Sequence, residues 1–295
     1  MARLALLSDI HGNLPALEAV LEDLSRQDLD EILLVGDLVG RGPQGSAVVQ
    51  RVRSLGWRSV RGNHEDYLLE YRRGRVPESW ATAKEWSALR WMSAELSEED
   101  ICWLEQLPFT LTSHIAPEVR LFHGTYQSSR HGIGYWTSEG RLQQYLDFQD
   151  EPVLVCGHTH RPFVHRDGGR LIVNVGSVGL PFNGDTRAQY AVLDNQSGQW
   201  EVEFRQVEYS LEEIFDIYRE SGFLEEGFTT SRLLMVELRH ARPFLVPYLY
   251  WLDKQEIGHH EDRVHEFLEW YDPDEEERKM VEKFRQKRQK RAETS

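Results

Sequence analysis

Five short polar islands constrain this chain more than any other feature: Asp9-Ile10-His11, Gly36-Asp37-Leu38-Val39-Gly40-Arg41-Gly42, Gly62-Asn63-His64-Glu65, His123-Gly124 and Gly157-His158-Thr159-His160. Each closes a short apolar run, so Asp, His and Asn side chains stand at the ends of strand-like segments rather than along solvated loops. One Asp-x-His or His-Gly is a common chance match and usually an ordinary polar strand end, whereas all five in this order have the layout of a metal site. Residues two apart in a strand face the same way, so alternation pairs Asp9 with His11 and His158 with His160 as ligands. Oxygen and imidazole donors without thiolate favour manganese, iron, zinc, cobalt or nickel over soft-metal or iron–sulfur chemistry.

The islands sit in an alternating pattern. Ala2 to Ser8 reads as a strand, and Asn13 caps a helix with Pro15 in its first turn and an apolar face of Leu14, Leu17, Val20, Leu21 and Leu24. Glu31 to Val35 is the next strand, a helix begins after Pro43, and Trp57 to Val60 leads into Gly62, giving β-α-β-α-β. From about 66 to 107 the pattern is helical, with Trp80, Trp86, Trp91 and Trp103 among apolar residues at three- to five-residue steps, an insert whose tryptophans pack the core. Strands are then expected at Val119 to Phe122, Val153 to Cys156, Phe163 to His165, Leu171 to Val175, Tyr190 to Leu193 and Trp200 to Val207, a run of short strands that suggests a second sheet.

At 295 residues and 40% hydrophobic content the chain can bury a substantial core. The first strand begins almost at Met1, which leaves no room for a cleavable leader, and Phe244 to Leu252 is too short to span a bilayer. A cytoplasmic protein without membrane contact is therefore expected. Cys102 and Cys156 imply no disulfide framework, Cys156 reading as a small buried thiol. The net charge of −15 argues against a general affinity for nucleic acid, although bound cations and nearby arginines would still admit an anionic small substrate.

The island pattern D-x-H, G-D-x-x-x-x-G, G-N-H-[DE], H-G and G-H-x-H resembles the calcineurin-like metallophosphoesterases over roughly residues 3 to 209. That resemblance implies an α/β fold of two packed mixed sheets with helices outside. It also implies two divalent ions, manganese foremost and iron, zinc, nickel or cobalt as alternatives. Asp9, His11, Asp37 and His160 would hold one ion, and Asp37, Asn63, His123 and His158 the other, with the Asp37 carboxylate bridging them. Such a pair lowers the pKa of a bridging water to give hydroxide near neutral pH, and clamps the oxygens of an in-line phosphoryl displacement. His64, beside Asn63 but not needed as a ligand, suits a general acid, against the plain reading of a helix-start residue. Arg41 and Arg61 are the candidate phosphate-binding residues, although Arg61 reads equally well as a solvated strand residue.

The substrate is read less directly. Ser8 to Asn13 looks like the small bacterial and archaeal phosphodiesterases, whereas Gly36 to Val39 with Arg41-Gly42-Pro43 and Ser46 is close to the motif of symmetrical diadenosine tetraphosphate hydrolases. Protein serine/threonine phosphatases share Arg41-Gly42 and the string Arg61 to Glu65 but usually carry an Asp where this chain has Gly40. We expect a phosphoesterase of diester or anhydride bonds in a small phosphorylated or nucleotide substrate. A protein phosphatase or phosphomonoesterase is the alternative, and a non-catalytic scaffold of the same fold the alternative from another class. Tyr126, His131, Tyr135 and Trp136 offer either flat surfaces to a nucleobase or an aromatic loop packed on the core.

Residues 1 to 209 form one expected domain and 210 to 295 a helical extension. Ser210 with Glu213 reads as a capping box, and Leu233, Leu234, Val236, Leu238, Phe244, Leu249, Tyr250 and Trp251 form an apolar face that must pack on the body or across a homo-oligomer. The basic run Lys283 to Arg291 follows an acidic one, Asp272 to Glu277, as in an ordinary solvated helix.

Overall fold

The computed structural model describes residues 1–279 and Glu282; the basic run Lys283 to Arg291 lies outside them. Ten strands are present among these residues: β1 Arg3–Leu7, β2 Glu31–Leu34, β3 Arg58–Ser59, β4 Thr110–Thr112, β5 Val119–Phe122, β6 Val153–Cys156, β7 Phe163–Asp167, β8 Arg170–Asn174, β9 Ala188–Asp194 and β10 Glu201–Val207. They form two five-stranded mixed sheets, ordered β10-β9-β1-β2-β3 and β4-β5-β6-β8-β7. In the first, β1, β2 and β3 run parallel, with Leu6 opposite Leu33 and Leu34 opposite Ser59, and β9 is antiparallel to β1. In the second, β5, β6 and β8 run parallel, Leu121 standing opposite Val155 and Val155 opposite Val173.

The period-two alternation of these strands explains the layering. In β1, Leu4 and Leu6 enter a core that also holds Leu121, Val153, Val155 and Val173 from the other sheet, while Ala5 and Leu7 face a core shared with helix residues Leu17, Val20, Val48 and Val52. β6 does the same: Val153 and Val155 lie between the sheets, and Leu154 and Cys156 face Leu142 and Leu146 of an outer helix. Strands buried on both faces must be apolar throughout, which is why the sequence shows runs such as Val153-Leu154-Val155-Cys156. The fold is two packed mixed sheets flanked by helices, with further helices at the C-terminal end.

The helix Leu14–Leu24 starts as expected, the Asn13 side chain accepting the Ala16 N–H at 3.1 Å. Two elements were not anticipated. β4 is only three residues long, and the helix Glu139–Asp147 buries Leu142, Tyr145 and Leu146 in the i, i+3, i+4 pattern. In the helical stretch, Trp91 and Trp103 pack against the main core, but Trp80 and Trp86 are only half-buried and stack on one another with ring centroids 3.8 Å apart.

Beyond Ser210, whose hydroxyl accepts the Glu213 N–H at 3.2 Å, helices occupy Leu211–Glu220, Phe223–Glu226, Phe228–His240, Leu245–Lys254 and Val264–Trp270. Ile214, Phe215, Tyr218, Phe223, Leu234 and Leu238 join the core beneath the first sheet, so this segment packs on the body of its own chain. Leu233, Phe244, Tyr248, Trp251, Leu252 and Phe267 form a smaller cluster farther along. Among the described residues no helix is long and apolar enough to cross a membrane.

Candidate metal centre

The five islands converge at the carboxyl ends of the parallel strands, the edge at which open α/β sheets bind ligands. β1 ends at Leu7, before Asp9 and His11, and β6 ends at Cys156, before His158 and His160. These residues lie in the loops beyond the strands, so pleat alternation does not orient them. Instead the backbone turns left-handed at these candidate ligands and at Asp37, with φ of 55° at Asp9, 53° at His11, 54° at Asp37, 67° at His158 and 57° at His160. The strain is held by backbone hydrogen bonds from Asp9 N to Gly36 O (3.0 Å), His11 N to Asp37 O (3.0 Å) and Gly12 N to Leu38 O (2.9 Å).

The consequence is a split of the second histidine pair. His160 joins Asp9 and His11, whereas His158 joins Asp37 and His123. In the first group His160 Nε2 stands 3.1 Å from His11 Nε2 and 3.2 Å from Asp9 Oδ1. In the second, Asn63 Oδ1 lies 3.1 Å from His123 Nε2 and 2.8 Å from His158 Nδ1, and Asp37 Oδ2 is 3.2 Å from His123 Nε2. Asp37 Oδ2 also lies 3.8 Å from His11 Nε2, so this carboxylate stands between the groups.

The donor set fits cations. His11 Nδ1, His123 Nδ1 and His160 Nδ1 face the carbonyls of Val39, Val35 and Leu180, which only accept, so each ring carries its proton there and turns Nε2 inward. Lone pairs of His11 and His160 then face each other, and Asp9 Oδ1, fully buried, has the Nε2 atoms of His160 and His11 beside it at 3.2 and 3.6 Å. Such a cluster of acceptors requires positive charge among them. Burial opposes the charge of Asp9, yet His160, His11 and His123 hold its carboxyl well below the usual range, and His123, His64 and His11 likewise overcome burial at Asp37. Against burial, Asp37 and Asp9 push the His123 imidazole up to about 10.

His64 starts the helix Asn63–Arg72, its backbone N–H donating to Asp37 Oδ1 at 2.9 Å. Its ring packs edge-on against His11, with centroids 4.9 Å apart, and Arg41 Nε–H donates to its Nε2 at 3.1 Å. Burial holds this imidazole well below its usual pKa; Asp37 opposes that, and His11 and Arg41 add to it. Arg41 reaches the histidine cluster, but Arg61 does not share its setting, being held by Asp66 (2.9 Å) and the Glu105 carbonyl (3.4 Å). Of the aromatic loop, Tyr126 stacks flat on Phe148 at 3.6 Å and is core packing, while Trp136 meets Arg161. The stretch Gly176 to Pro181 backs the centre: Ser177 Oγ and Gly179 N donate to the Asp9 carbonyl at 2.8 and 3.0 Å.

Three residues of the centre escaped the sequence reading. Glu65, fully buried, accepts four backbone N–H groups, from Asp37 (2.9 Å), Leu38 (2.7 Å), Val39 (3.2 Å) and Gly62 (2.7 Å), and so locks two ligand loops together. Its place in the Gly-Asn-His-Glu string was the available signal. Arg161, next to His160, lies 6.0 Å from the Phe182 ring that stacks on His160, and its buried Nε has no hydrogen-bond partner. Glu237 reaches Arg41 from 196 positions away, which no local pattern shows.

Comparison with known proteins places the fold in a family. Residues 2–198 match the calcineurin-like phosphoesterase superfamily domain. The crystal structure of a metallophosphoesterase from Sphaerobacter thermophilus is similar, with a TM-score of 0.64, 30% identity, and coverage of 81% of this chain and 99% of that one. Phosphodiesterase YfcE of Escherichia coli K12 is 28% identical over 207 residues, 66% of this chain and 89% of its own. A symmetrical bis(5'-nucleosyl)-tetraphosphatase of Pectobacterium carotovorum is 46% identical over 67 residues, 22% of this chain and 24% of its own. Taken with the ligand groups around Asp37, the match over residues 2–198 makes this chain a phosphoesterase of the calcineurin-like superfamily.

Proposed function

We propose that the protein is a dinuclear metal-dependent phosphoesterase that hydrolyses phosphodiester or phosphoanhydride bonds of a small, nucleotide-type substrate. The observation that carries this reading is the pair of acceptor groups on either side of Asp37. Asp9, His11, Asp37 and His160 would hold one cation and Asp37, Asn63, His123 and His158 the other. Bound there, divalent cations such as manganese supply Lewis acidity toward phosphoryl oxygens and toward water.

The chain's own residues do the rest. Arg41 offers the Nε–Nη2 edge of its guanidinium to phosphate oxygens, and Arg161, whose Nε lies 3.7 Å from Glu277, adds positive charge nearby. When phosphate takes up the Arg41 Nε–H, His64 Nε2 is released to take a proton from solvent and pass it to the departing oxygen as general acid. Asp37 fixes the start of the His64 helix through the 2.9 Å bond to its N–H, keeping that ring beside the reacting bond.

Gly40 disfavours the protein-phosphatase alternative. A Cβ there would fall 2.6 Å from His64 Nδ1 and 2.8 Å from His64 Cβ, so the imidazole occupies the space of the aspartate that those enzymes usually carry. The test is a panel of phosphomonoesters, diesters, dinucleoside polyphosphates and phosphopeptides with manganese-loaded protein. Diesters or dinucleoside polyphosphates should show the highest kcat/KM; a preference for phosphoserine or phosphothreonine peptides would reverse the assignment. His64→Ala should retain metal and lose on the order of 10²- to 10⁴-fold in turnover, less for nitrophenyl leaving groups.

A further inference from the structure

We propose that Glu237, on the helix Phe228–His240 and outside the matched family domain, is a positioning residue of the active site: it holds Arg41 from behind so that the guanidinium presents one edge to His64 and to the substrate phosphate. The inference rests on the phosphoesterase reading of the site.

Its basis is a relay of fixed contacts. Glu237 is 1% exposed, and its Oε1 accepts the N–H groups of Phe244 (2.7 Å) and Leu245 (2.8 Å). With one oxygen pinned by backbone, the other has a set direction, and Oε2 receives Arg41 Nη1–H at 3.0 Å. Nη1 lies opposite the Nε–Nη2 edge, and the Nε–H on that edge meets His64 Nε2 at 3.1 Å. The backbone of Arg41 is fixed too: φ is 65°, and its carbonyl accepts the Tyr218 hydroxyl at 2.7 Å from the helix Leu211–Glu220 of the same region. Tyr218 and Leu238 line a small void together with His11 and Arg41, so the C-terminal helices reach the wall behind these two residues.

The arrangement also explains how His64 works without an acidic neighbour at position 40. The ring fills that space, and the buried carboxylate is supplied instead at one remove, through Arg41. A carboxylate placed behind the guanidinium keeps Arg41 in place while its Nε–H transfers from His64 to phosphate. Direct contact of Glu237 with the imidazole would not allow that exchange.

Glu237→Gln keeps the side-chain volume but replaces one acceptor oxygen with an amide donor, which cannot face both Arg41 and the two backbone N–H groups favourably. Zinc-loaded, full-length protein would be compared by metal content, by kcat and KM on diesters of graded leaving-group pKa, and by ¹⁵N NMR of the histidine rings, with His64→Ala used to assign the His64 resonances. We expect unchanged metal content, a 10- to 100-fold fall in kcat on poor leaving groups, as is found for removal of outer partners, little change with nitrophenyl esters, and a shift of the His64 Nε2 resonance. In a His64→Ala background the part of the loss that depends on leaving-group pKa should vanish, leaving only a smaller, leaving-group-independent loss through Arg41 on phosphate. An unmoved Nε2 resonance, or a loss with no dependence on leaving-group pKa, would show that Glu237 does not position Arg41 on His64 and overturn the proposal. Failure of the general-acid reading looks different: His64→Ala alone would then leave kcat intact, while the Nε2 shift in Glu237→Gln still decides the positioning role. Should Glu237→Gln not fold, Glu237→Asp, shorter by one methylene but still charged, should move the same resonance and kcat in the same direction, and no movement would again overturn it.

Discussion

Around Asp37 the structure-holding contacts are polar and sit in loops and at a helix start, whereas the helices from Leu211 to Trp270 join the body through Ile214, Phe215, Tyr218, Leu234 and Leu238. One region carries strain at its ligands and needs charge brought in from outside; the other has no motif and is held by buried area. They meet at Arg41, which touches His64 on one side and Glu237 on the other. The contrast teaches that chemistry and its alignment are encoded differently: short strings specify the ligands, while a fold-wide packing solution places the group that steadies one of them.

The comparison is most exposed to failure at Asp37. Asp37→Asn should lower metal content and turnover together, the latter by more than the roughly 100-fold typical of an outer partner, because one carboxylate serves both groups. Elemental analysis finding two metals per chain with undiminished turnover would remove the distinction. On the helical side, a chain ending at Glu208 keeps every ligand but strips Ile214, Phe215, Tyr218, Phe223, Leu234 and Leu238 from the main core. At about 2–5 kcal/mol per large buried side chain, against a net stability of about 5–15 kcal/mol, it should lose cooperative unfolding or aggregate. Equal stability by thermal denaturation and unchanged assembly by light scattering would make those helices an appendage.

At the junction of the regions, Gly40→Asp tests the space around His64. The φ of 77° and the overlap with the ring should cost about 1–3 kcal/mol and reduce turnover without any gain on phosphopeptides, as read by melting temperature and kinetics. The smallest effect is a proton count. Because Asp37 and Asp9 push His123 up to about 10 against burial, its ring is protonated at pH 8 without metal, and a cation taking Nε2 must displace that proton. Calorimetry in buffers of different ionisation enthalpy should find about one proton released per chain, with apparent affinity rising with pH through this range. In metal-free protein the same raised value stabilises the fold fully below about pH 6.5 and fades as pH climbs toward about 10.

The strands and the site were legible to different depths. Runs buried on both faces, such as Val153 to Cys156, announced their strands to the residue, while Thr110 to Thr112 was too short to register and Glu139 to Asp147 was passed over despite its Leu142, Tyr145, Leu146 spacing. The five islands supplied the residues that cluster around Asp37, but the reason given for their pairing was wrong: strand alternation does not apply beyond Leu7 and Cys156, and His158 and His160 fall in different groups. Arg61 satisfied the same motif logic as Arg41 yet went to Asp66, because an arginine's partner depends on what folds beside it. Glu237 lay beyond reach for the same reason, since a lone acid in a helix carries no mark of the buried arginine it will meet.

The left-handed ligands change how the pocket can be interrogated. Asp, Asn and His tolerate positive φ better than most residues, and the chain places Asp or His at each of positions 9, 11, 37, 158 and 160. Alanine scanning there would therefore confound two losses, a missing donor and a backbone forced to relax, and would exaggerate the weight of every ligand. Asparagine replacements preserve the turn while altering the donor, and glycine replacements relieve the turn while deleting it. The difference between the two series at one position would separate what coordination contributes from what loop geometry contributes.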